Sequence, residues 1–202
     1  MTHQNNIYVL LTDTGTRFTR LIKRYTLAPY NHASLALDNG LKEVYSFGRK
    51  CATNPWFAGF VQEDVYEGVY RHFPATRCVV LRLNVSGKQR AELKQLLQHY
   101  KRNKECYKYN LLGLLFLTMK ISFAPQNAYF CSQFVAEVLR RIDVNLWDKP
   151  SALVTPNDFL IHPMFEIIYE GLLYDYPLLG SFAVEKDCGG EDEDLERRAI
   201  PC

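Results

Sequence analysis

The chain has 202 residues, of which 48% are hydrophobic and 23% charged, a composition typical of one globular domain with its own hydrophobic core. Its net charge is only +2, and no zinc-finger, RNP or helix-turn-helix pattern accompanies that charge, so we do not expect a nucleic acid as partner. The chain contains no run of 18 apolar residues, which argues against a transmembrane segment.

The N-terminal region predicts a strand followed by a helix. The first six residues lack the basic and apolar regions of a signal peptide. We therefore expect a cytoplasmic protein, in which cysteines are reduced thiols. The apolar run Ile7 to Leu11 predicts a buried strand. The helix is expected to end before Pro29; its apolar face consists of Phe18, Leu21, Ile22 and Tyr25.

The next predicted element is a β-hairpin that carries a histidine. Two short alternating runs flank Asn39-Gly40, and Asn-Gly between such runs is the strongest short hairpin signal. A three-residue loop places His32 opposite Ser46, on the same face of the sheet. A two-residue loop places His32 opposite Phe47 instead. The sequence leaves both registers open.

The segment from residue 48 to residue 68 shows no clean periodicity. It carries the aromatic stretch Asn54-Pro55-Trp56-Phe57-Ala58-Gly59-Phe60, which is either a loop packed on the edge of the core or a lid over a substrate site. Further along, Cys78 to Val85 predicts a strand. Gly87 to about Arg102 predicts a helix capped by Ser86, since a serine at that position accepts a hydrogen bond from the first turn.

A mostly apolar helix is predicted for Tyr107 to Lys120. Its most apolar part, Leu111 to Met119, is far too short to cross a membrane. We expect most of its residues to belong to the core rather than to a lipid-binding surface.

Asn127 to Val144 predicts a helix that begins on a cysteine. Cys131 lies at the first turn, where the helix dipole and the unpaired N–H groups favour a thiolate, and the thiolate is the nucleophilic form of cysteine. By position alone, a small buried side chain is the better interpretation of this residue, as it is for most cysteines. The apolar residues of this helix form a stripe at helical spacing: Phe134, Val135, Val138, Leu139 and Ile142.

The C-terminal part predicts a last strand and a tail. Phe165 to Tyr169 is apolar and predicts the strand. Residues 185–202 contain seven acidic and three basic residues and few apolar ones, a composition typical of disorder. We therefore divide the chain into a folded domain over residues 1–184 and an acidic tail over residues 185–202.

Four short motifs follow one another along the chain. They are Asn31-His32-Ala33-Ser34-Leu35-Ala36-Leu37, Tyr107-Lys108-Tyr109-Asn110, Tyr129-Phe130-Cys131-Ser132-Gln133-Phe134-Val135 and Thr155-Pro156-Asn157-Asp158-Phe159. With the histidine strand before the cysteine helix, they resemble the circularly permuted branch of the NlpC-type papain-like cysteine peptidase superfamily, which includes YiiX-like and lecithin retinol acyltransferase-like proteins. The resemblance covers roughly residues 7 to 180. Gln133 departs from the pattern, because the permuted group often has an acid there.

The resemblance implies both a fold and an activity. The fold would be a circularly permuted papain-like α+β domain, in which an antiparallel sheet packs against helices. The activity would be that of a thiol-dependent hydrolase or acyltransferase of the peptidase or amidase type, acting on a peptide, amide or acyl substrate. The alternative is a binding or structural module that has the same fold and no turnover.

The resemblance also implies roles for individual residues. Cys131 would be the nucleophile and His32 the base. A third polar group would orient His32; Ser46 fits the first hairpin register and Glu43 the second, and the comparable offset in the permuted families favours Ser46.

An oxyanion formed from the substrate carbonyl would need hydrogen-bond donors. The backbone N–H of Cys131 is one candidate, and the side chain of Tyr129 or of Gln126 is another. We expect no cofactor and no metal, because the six cysteines show neither CxxC pairing nor metal-ligand spacing.

Overall fold

The computed structural model of the protein describes residues 5–15, 29–50, 58–66 and 68–180. The predicted first helix, residues 54–57 of the aromatic stretch and the acidic tail lie outside the described residues.

An antiparallel sheet of six strands forms the centre of the fold. These strands are β1 (Asn6–Asp13), β2 (His32–Ala36), β3 (Val44–Arg49), β4 (Ala58–Glu63), β5 (Arg77–Asn84) and β8 (Glu166–Leu172). They lie side by side in the order β4-β3-β2-β1-β5-β8. A short parallel pair consists of β6 (Lys108–Tyr109) and β7 (Ala128–Tyr129).

Helices cover the sheet. Those in the described residues are α1 (Gly87–Arg102), α2 (Leu111–Thr118), α3 (Cys131–Arg141), α4 (Pro156–Ile161) and α5 (Pro177–Gly180). The prediction of an α+β fold with an antiparallel sheet packed against helices is therefore confirmed. Within the described ranges, no helix combines the length and the apolar content needed to cross a bilayer.

The sheet buries both of its faces, which explains why the central strand β1 is apolar almost throughout. One face, called here the helix face, packs on α1 and α3 through a cluster that includes Leu35, Phe47 and Phe134. The opposite face carries Ala36 and Val44 and packs on the C-terminal segment that follows β8. Side chains that alternate along a strand therefore enter two different cores.

Two helices begin where the sequence predicts. The Ser86 hydroxyl accepts a hydrogen bond from the Gln89 N–H at 3.1 Å, and the Gln89 side chain accepts one from the Ser86 N–H at 2.9 Å, which is a complete capping box. Helix α3 begins at Cys131. There, the Phe130 N–H donates to Oε1 of Gln133 at 3.3 Å. A side chain from the first turn therefore holds the residue that precedes the helix.

The hairpin of β2 and β3 has a longer loop than either predicted register. Leu35 pairs with Tyr45, and continuing this ladder sets His32 opposite Gly48. Both predicted registers, which set His32 opposite Ser46 or the residue after it, are therefore wrong.

The loop itself explains the error. The Asp38 carboxylate accepts hydrogen bonds from the backbone N–H groups of Lys42 at 3.1 Å and Glu43 at 2.9 Å. Leu41 adopts the left-handed conformation, with φ of 55°, and buries its side chain in the core. An apolar residue is an unusual choice for this conformation, and the packing of Leu41 outweighs the local Asn-Gly preference.

Helix α2 differs from the prediction in its environment. We expected most of its residues in the core, but Gly113 and Leu117 are its buried residues. Most of its leucines are exposed. The prediction is based on composition. An apolar composition does not determine whether another element packs on a helix and buries it.

Candidate active site

Cys131 occupies the first position of α3, against the start of β2. Its sulfur lies 4.0 Å from the backbone oxygen of Asn31. The backbone N–H groups of Ala33 and Ser132 donate toward the sulfur. Only 4% of the residue is exposed. The thiol therefore lies among N–H donors, which stabilise a thiolate more than a thiol.

His32, the first residue of β2, links the thiol to a carboxylate. Its Nε2 lies 2.7 Å from Oε1 of Glu63, and the ring also interacts electrostatically with the neighbouring Cys131 thiol. Because Glu63 engages Nε2, Nδ1 is the ring nitrogen left for the thiol. The His32 side chain is 21% exposed, so the base is reachable from solvent although the sulfur is nearly covered.

Glu63 ends β4 and lies within a group of hydroxyl donors. Ser46 donates to its Oε1 at 2.5 Å, Ser34 to its Oε2 at 2.8 Å and Tyr70 to its Oε2 at 3.1 Å. The Tyr70 hydroxyl in turn lies 3.3 Å from Oγ1 of Thr12. Such donors hold a carboxylate ionised and fix its position in a site where water cannot do so.

The charges of the three groups depend on one another. Burial acts to lower the pKa of His32, but Glu63 and Cys131 outweigh burial and raise this pKa to about 10. Burial acts to raise the pKa of Cys131, but the hydrogen bond and the charge of His32 outweigh it and lower this pKa. Burial likewise opposes ionisation of Glu63, and His32, Ser46 and Ser34 lower its pKa.

The sheet explains how these residues meet. The side chains of Ser34 and Ser46 lie on the opposite face, away from α3, and Glu63 joins them because it pairs with Val44 across β3 and β4. Helix α3 packs on the helix face, and its N-terminus reaches the end of the sheet where β2 begins. His32 therefore contacts Cys131 at the end of the sheet and Glu63 on its opposite face.

The predicted residues take different places in this arrangement. The structure brings Cys131 and His32 together. Ser46 shares the face of His32, yet its hydroxyl donates to Glu63, so it acts on the carboxylate and not on the ring. Glu43 accepts a hydrogen bond from the Tyr45 hydroxyl at 3.3 Å. The hydrogen-bond partner that orients His32 is Glu63, which the sequence analysis missed.

A sequence signal for Glu63 exists but is weak. The run Ala58 to Glu63 has only a few alternating residues and lies in a segment that we interpreted as a loop or lid. In the structure this run is β4, which pairs with β3 over its whole length. The one signal for Glu63 in the sequence is therefore an acidic residue at the end of a run that could pair with the hairpin.

Gly48 provides the space that the imidazole occupies. A Cβ at this position would lie 3.2 Å from Oγ of Ser46 and 3.3 Å from Cε1 of His32. Both distances are tighter than ordinary van der Waals contact. Glycine is therefore suited to this position because of close approach, since its backbone conformation does not require it.

The two proposed side-chain donors for an oxyanion, Tyr129 and Gln126, lie in different environments. The Tyr129 hydroxyl accepts a hydrogen bond from Arg141 at 3.3 Å, and Arg141 belongs to the last turn of α3. The ring packs among Phe47, Tyr100 and Phe134 on the helix face. Tyr129 therefore points along the helix and away from Cys131. Gln126 is exposed in the turn before β7.

The Gln133 side chain stabilises the N-terminus of α3. Its buried Oε1 accepts hydrogen bonds from the Phe130 N–H and, at 3.2 Å, from Nδ2 of Asn110. The Asn110 side chain also caps α2, because its Oδ1 accepts the Gly113 N–H at 2.8 Å. One amide pair thus joins the N-termini of α2 and α3. In the part of the chain that the structure describes, no group of three or more His, Cys, Asp or Glu residues is arranged to hold a metal ion.

The comparisons with known proteins leave the site to be judged on its own geometry. A scan against protein-family models finds no match for this chain, and neither does a search of curated proteins. The resemblance to the permuted papain-like branch accordingly rests on the four motifs alone.

Proposed function

We propose that this protein is a thiol-dependent hydrolase or acyltransferase of the peptidase or amidase type, with a circularly permuted papain-like fold. The single observation that carries the proposal is His32, whose ring bonds Glu63 and interacts electrostatically with the Cys131 thiol. A nucleophile, a base and a group that orients the base form the arrangement that covalent acyl transfer needs. The order of histidine strand and cysteine helix along the chain supports the permuted form of the fold.

In this mechanism, the Cys131 thiolate attacks the carbonyl carbon of the substrate. The carbon–sulfur bond forms, the carbonyl oxygen becomes an oxyanion, and the bond to the leaving group breaks. The leaving amine or alkoxide takes the proton from the His32 imidazolium. This step leaves a thioester on Cys131 and a neutral imidazole.

A second step returns the enzyme to its first state. His32 removes a proton from water or from another acceptor, whose oxygen or nitrogen attacks the thioester carbon. The carbon–sulfur bond breaks, the acyl product leaves and the thiolate is restored beside the imidazolium. Glu63 keeps the ring in place and stabilises its positive charge throughout.

The oxyanion would be stabilised at the start of α3. The backbone N–H of Cys131 belongs to a first turn, where N–H groups have no partner within the helix, and the helix dipole favours negative charge there. Removing one such donor in other acyl-transfer enzymes costs about 3 kcal/mol of transition-state stabilisation. This contribution needs no further side chain.

The test uses three variants and a panel of thioester, ester and amide substrates. Cys131→Ala and His32→Ala should each abolish turnover, and the double variant should be no worse than either, because groups that act as one unit are non-additive. Cys106→Ala is the matched control, since Cys106 is an exposed free thiol, and should keep full activity. Full activity in a folded His32→Ala protein would refute the mechanism.

The near-complete burial of Cys131 favours one other candidate, a module that binds without turnover. That candidate predicts a different pattern in the same experiment. Wild-type protein would turn over none of the panel, and both single variants would lose thermal stability without any chemical phenotype, as large-to-small changes in a core do.

A further inference from the structure

The outward side of α2 is apolar and exposed. Five large apolar residues in and just after this helix are between 41% and 62% exposed. They are Leu111, Leu112, Leu115, Met119 and Ile121. Large exposed apolar groups scattered singly are ordinary on a surface, but a contiguous set on one short helix marks an interaction site. We call this set the α2 face.

The α2 face is held in place by the fold. Asn110 caps the helix through Gly113 and also donates to the backbone oxygen of Phe123 at 2.9 Å. Leu117 packs inward. At the other end, Lys120 takes the left-handed conformation with φ of 57°, and its N–H donates to the Leu117 oxygen at 3.0 Å. The exposed leucines therefore belong to a helix fixed at both ends.

Basic residues lie before and after α2 in the sequence. Residues 101–127 contain five basic residues and one acidic residue. The basic ones are Lys101, Arg102, Lys104, Lys108 and Lys120. Lys108 and Lys120 stand just before and just after α2, and both are exposed. The one acid, Glu105, lies 4.0 Å from Nζ of Lys50, so its charge is partly offset.

We propose that the α2 face docks on an anionic lipid surface. Leucines on such a face enter the boundary between headgroups and acyl chains, and the lysines at its ends contact negative headgroups. The charge favours this occupant over a second copy of the chain, because a symmetric pair would bring Lys108 and Lys120 of both copies to one interface. Docking goes beyond the proposed chemistry and does not require it.

The position of α2 gives the docking a consequence for the site. The Asn110–Gln133 hydrogen bond ties the N-terminus of α2 to the N-terminus of α3, where Cys131 lies. A surface bound by α2 therefore lies near the helix that carries the thiol.

The test is co-sedimentation of the full chain with phosphatidylcholine vesicles, with and without phosphatidylserine. Wild-type protein should bind the anionic vesicles. Leu112→Gln with Leu115→Gln should weaken binding by at least about tenfold, because two buried apolar side chains are lost. Lys108→Glu with Lys120→Glu should weaken it by roughly fivefold or more per lysine and only on anionic vesicles.

A matched control separates this face from general apolar exposure. Ile161→Gln with Met164→Gln removes two apolar side chains that are 68% and 60% exposed elsewhere on the molecule, and should leave vesicle binding unchanged. Thermal melts check that every variant folds. Absence of wild-type binding to anionic vesicles, or equal loss in the control pair, would overturn the proposal. A dimer that the leucine variant dissociates would assign the face to a second copy and overturn it too.

Discussion

Glu63 is the residue on which the charge state of the site depends. Three hydroxyl groups and one imidazole approach its two oxygens. Its negative charge raises the pKa of His32, and the protonated ring lowers the pKa of Cys131. The carboxylate thus acts on the thiol through the ring, which makes it a positioning residue.

Glu63→Gln should therefore reduce the reactivity of a thiol that Glu63 does not touch. The neutral amide no longer supports the imidazolium, so the pKa of His32 falls and that of Cys131 rises. We expect the alkylation rate of Cys131 at pH 7 to fall, by about tenfold for each unit by which the thiol pKa rises above 7. Mass-spectrometric mapping of iodoacetamide labelling against time measures this rate.

Glu43→Gln is the control for that experiment, because Glu43 is the acid that the sequence analysis names as a possible partner of His32. Its carboxylate bonds the Tyr45 hydroxyl, so its removal should leave Cys131 labelling unchanged. Equal effects of the two substitutions would show that general surface charge, and not the Glu63–His32 pair, governs the thiol.

At the scale of elements, the junction of α2 and α3 depends on one buried amide pair. Asn110 makes hydrogen bonds to Gly113, Phe123 and Gln133. Asn110→Ala leaves these buried groups without their partner, which should lower the free energy of unfolding by about 1–3 kcal/mol. Urea unfolding measures the loss. Asn145→Ala, at an exposed position, should change stability by less than about 0.5 kcal/mol.

Elements with a strong local signal were predictable from the sequence. Helix α1 follows from its apolar stripe and Ser86, and α3 from its stripe and the cysteine at its start. The central strands follow from short apolar runs. In each case the information lies within a few neighbouring residues, which is where periodicity and capping operate.

Other elements depended on contacts far apart in the chain. The hairpin register is set by the buried Leu41 and by the Asp38 side chain, against the simplest Asn-Gly loop. Strand β4 is defined by its partner β3 and shows little pattern of its own, so Glu63 was missed. The composition of α2 does not indicate that most of its leucines are exposed to solvent.

At the scale of the whole molecule, the ionised site should make stability respond to pH in a specific way. The pKa of His32 is raised, so its contribution is complete below 6.5 and is lost as the pH rises through about 10. The pKa of Cys131 is lowered, so its contribution is complete above 9.0 and is lost as the pH falls. In the part of the range between 6.5 and 9.0 that lies above the folded pKa of Cys131, the two changes offset each other.

Cys131→Ala should remove that compensation. Its stability, relative to wild type, should decline as the pH rises from 6.5 to 9.0, because only the His32 contribution remains, with a slope of at most about 1.4 kcal/mol per pH unit. Urea unfolding at several pH values gives the difference, in which other titrating groups cancel. A constant difference across this range would mean that Cys131 is not ionised in the folded wild-type protein below pH 9.0.

The charge state of Cys131 in the folded protein is the central claim, and its labelling as a function of pH tests it most directly. The same residue in urea-unfolded chain serves as the reference. We expect the folded protein to keep a high rate of iodoacetamide labelling at pH values well below 9.0, where the rate in the unfolded chain falls about tenfold per pH unit. Folded and unfolded profiles that coincide, or a folded profile shifted to higher pH, would contradict a thiolate held by His32 and Glu63.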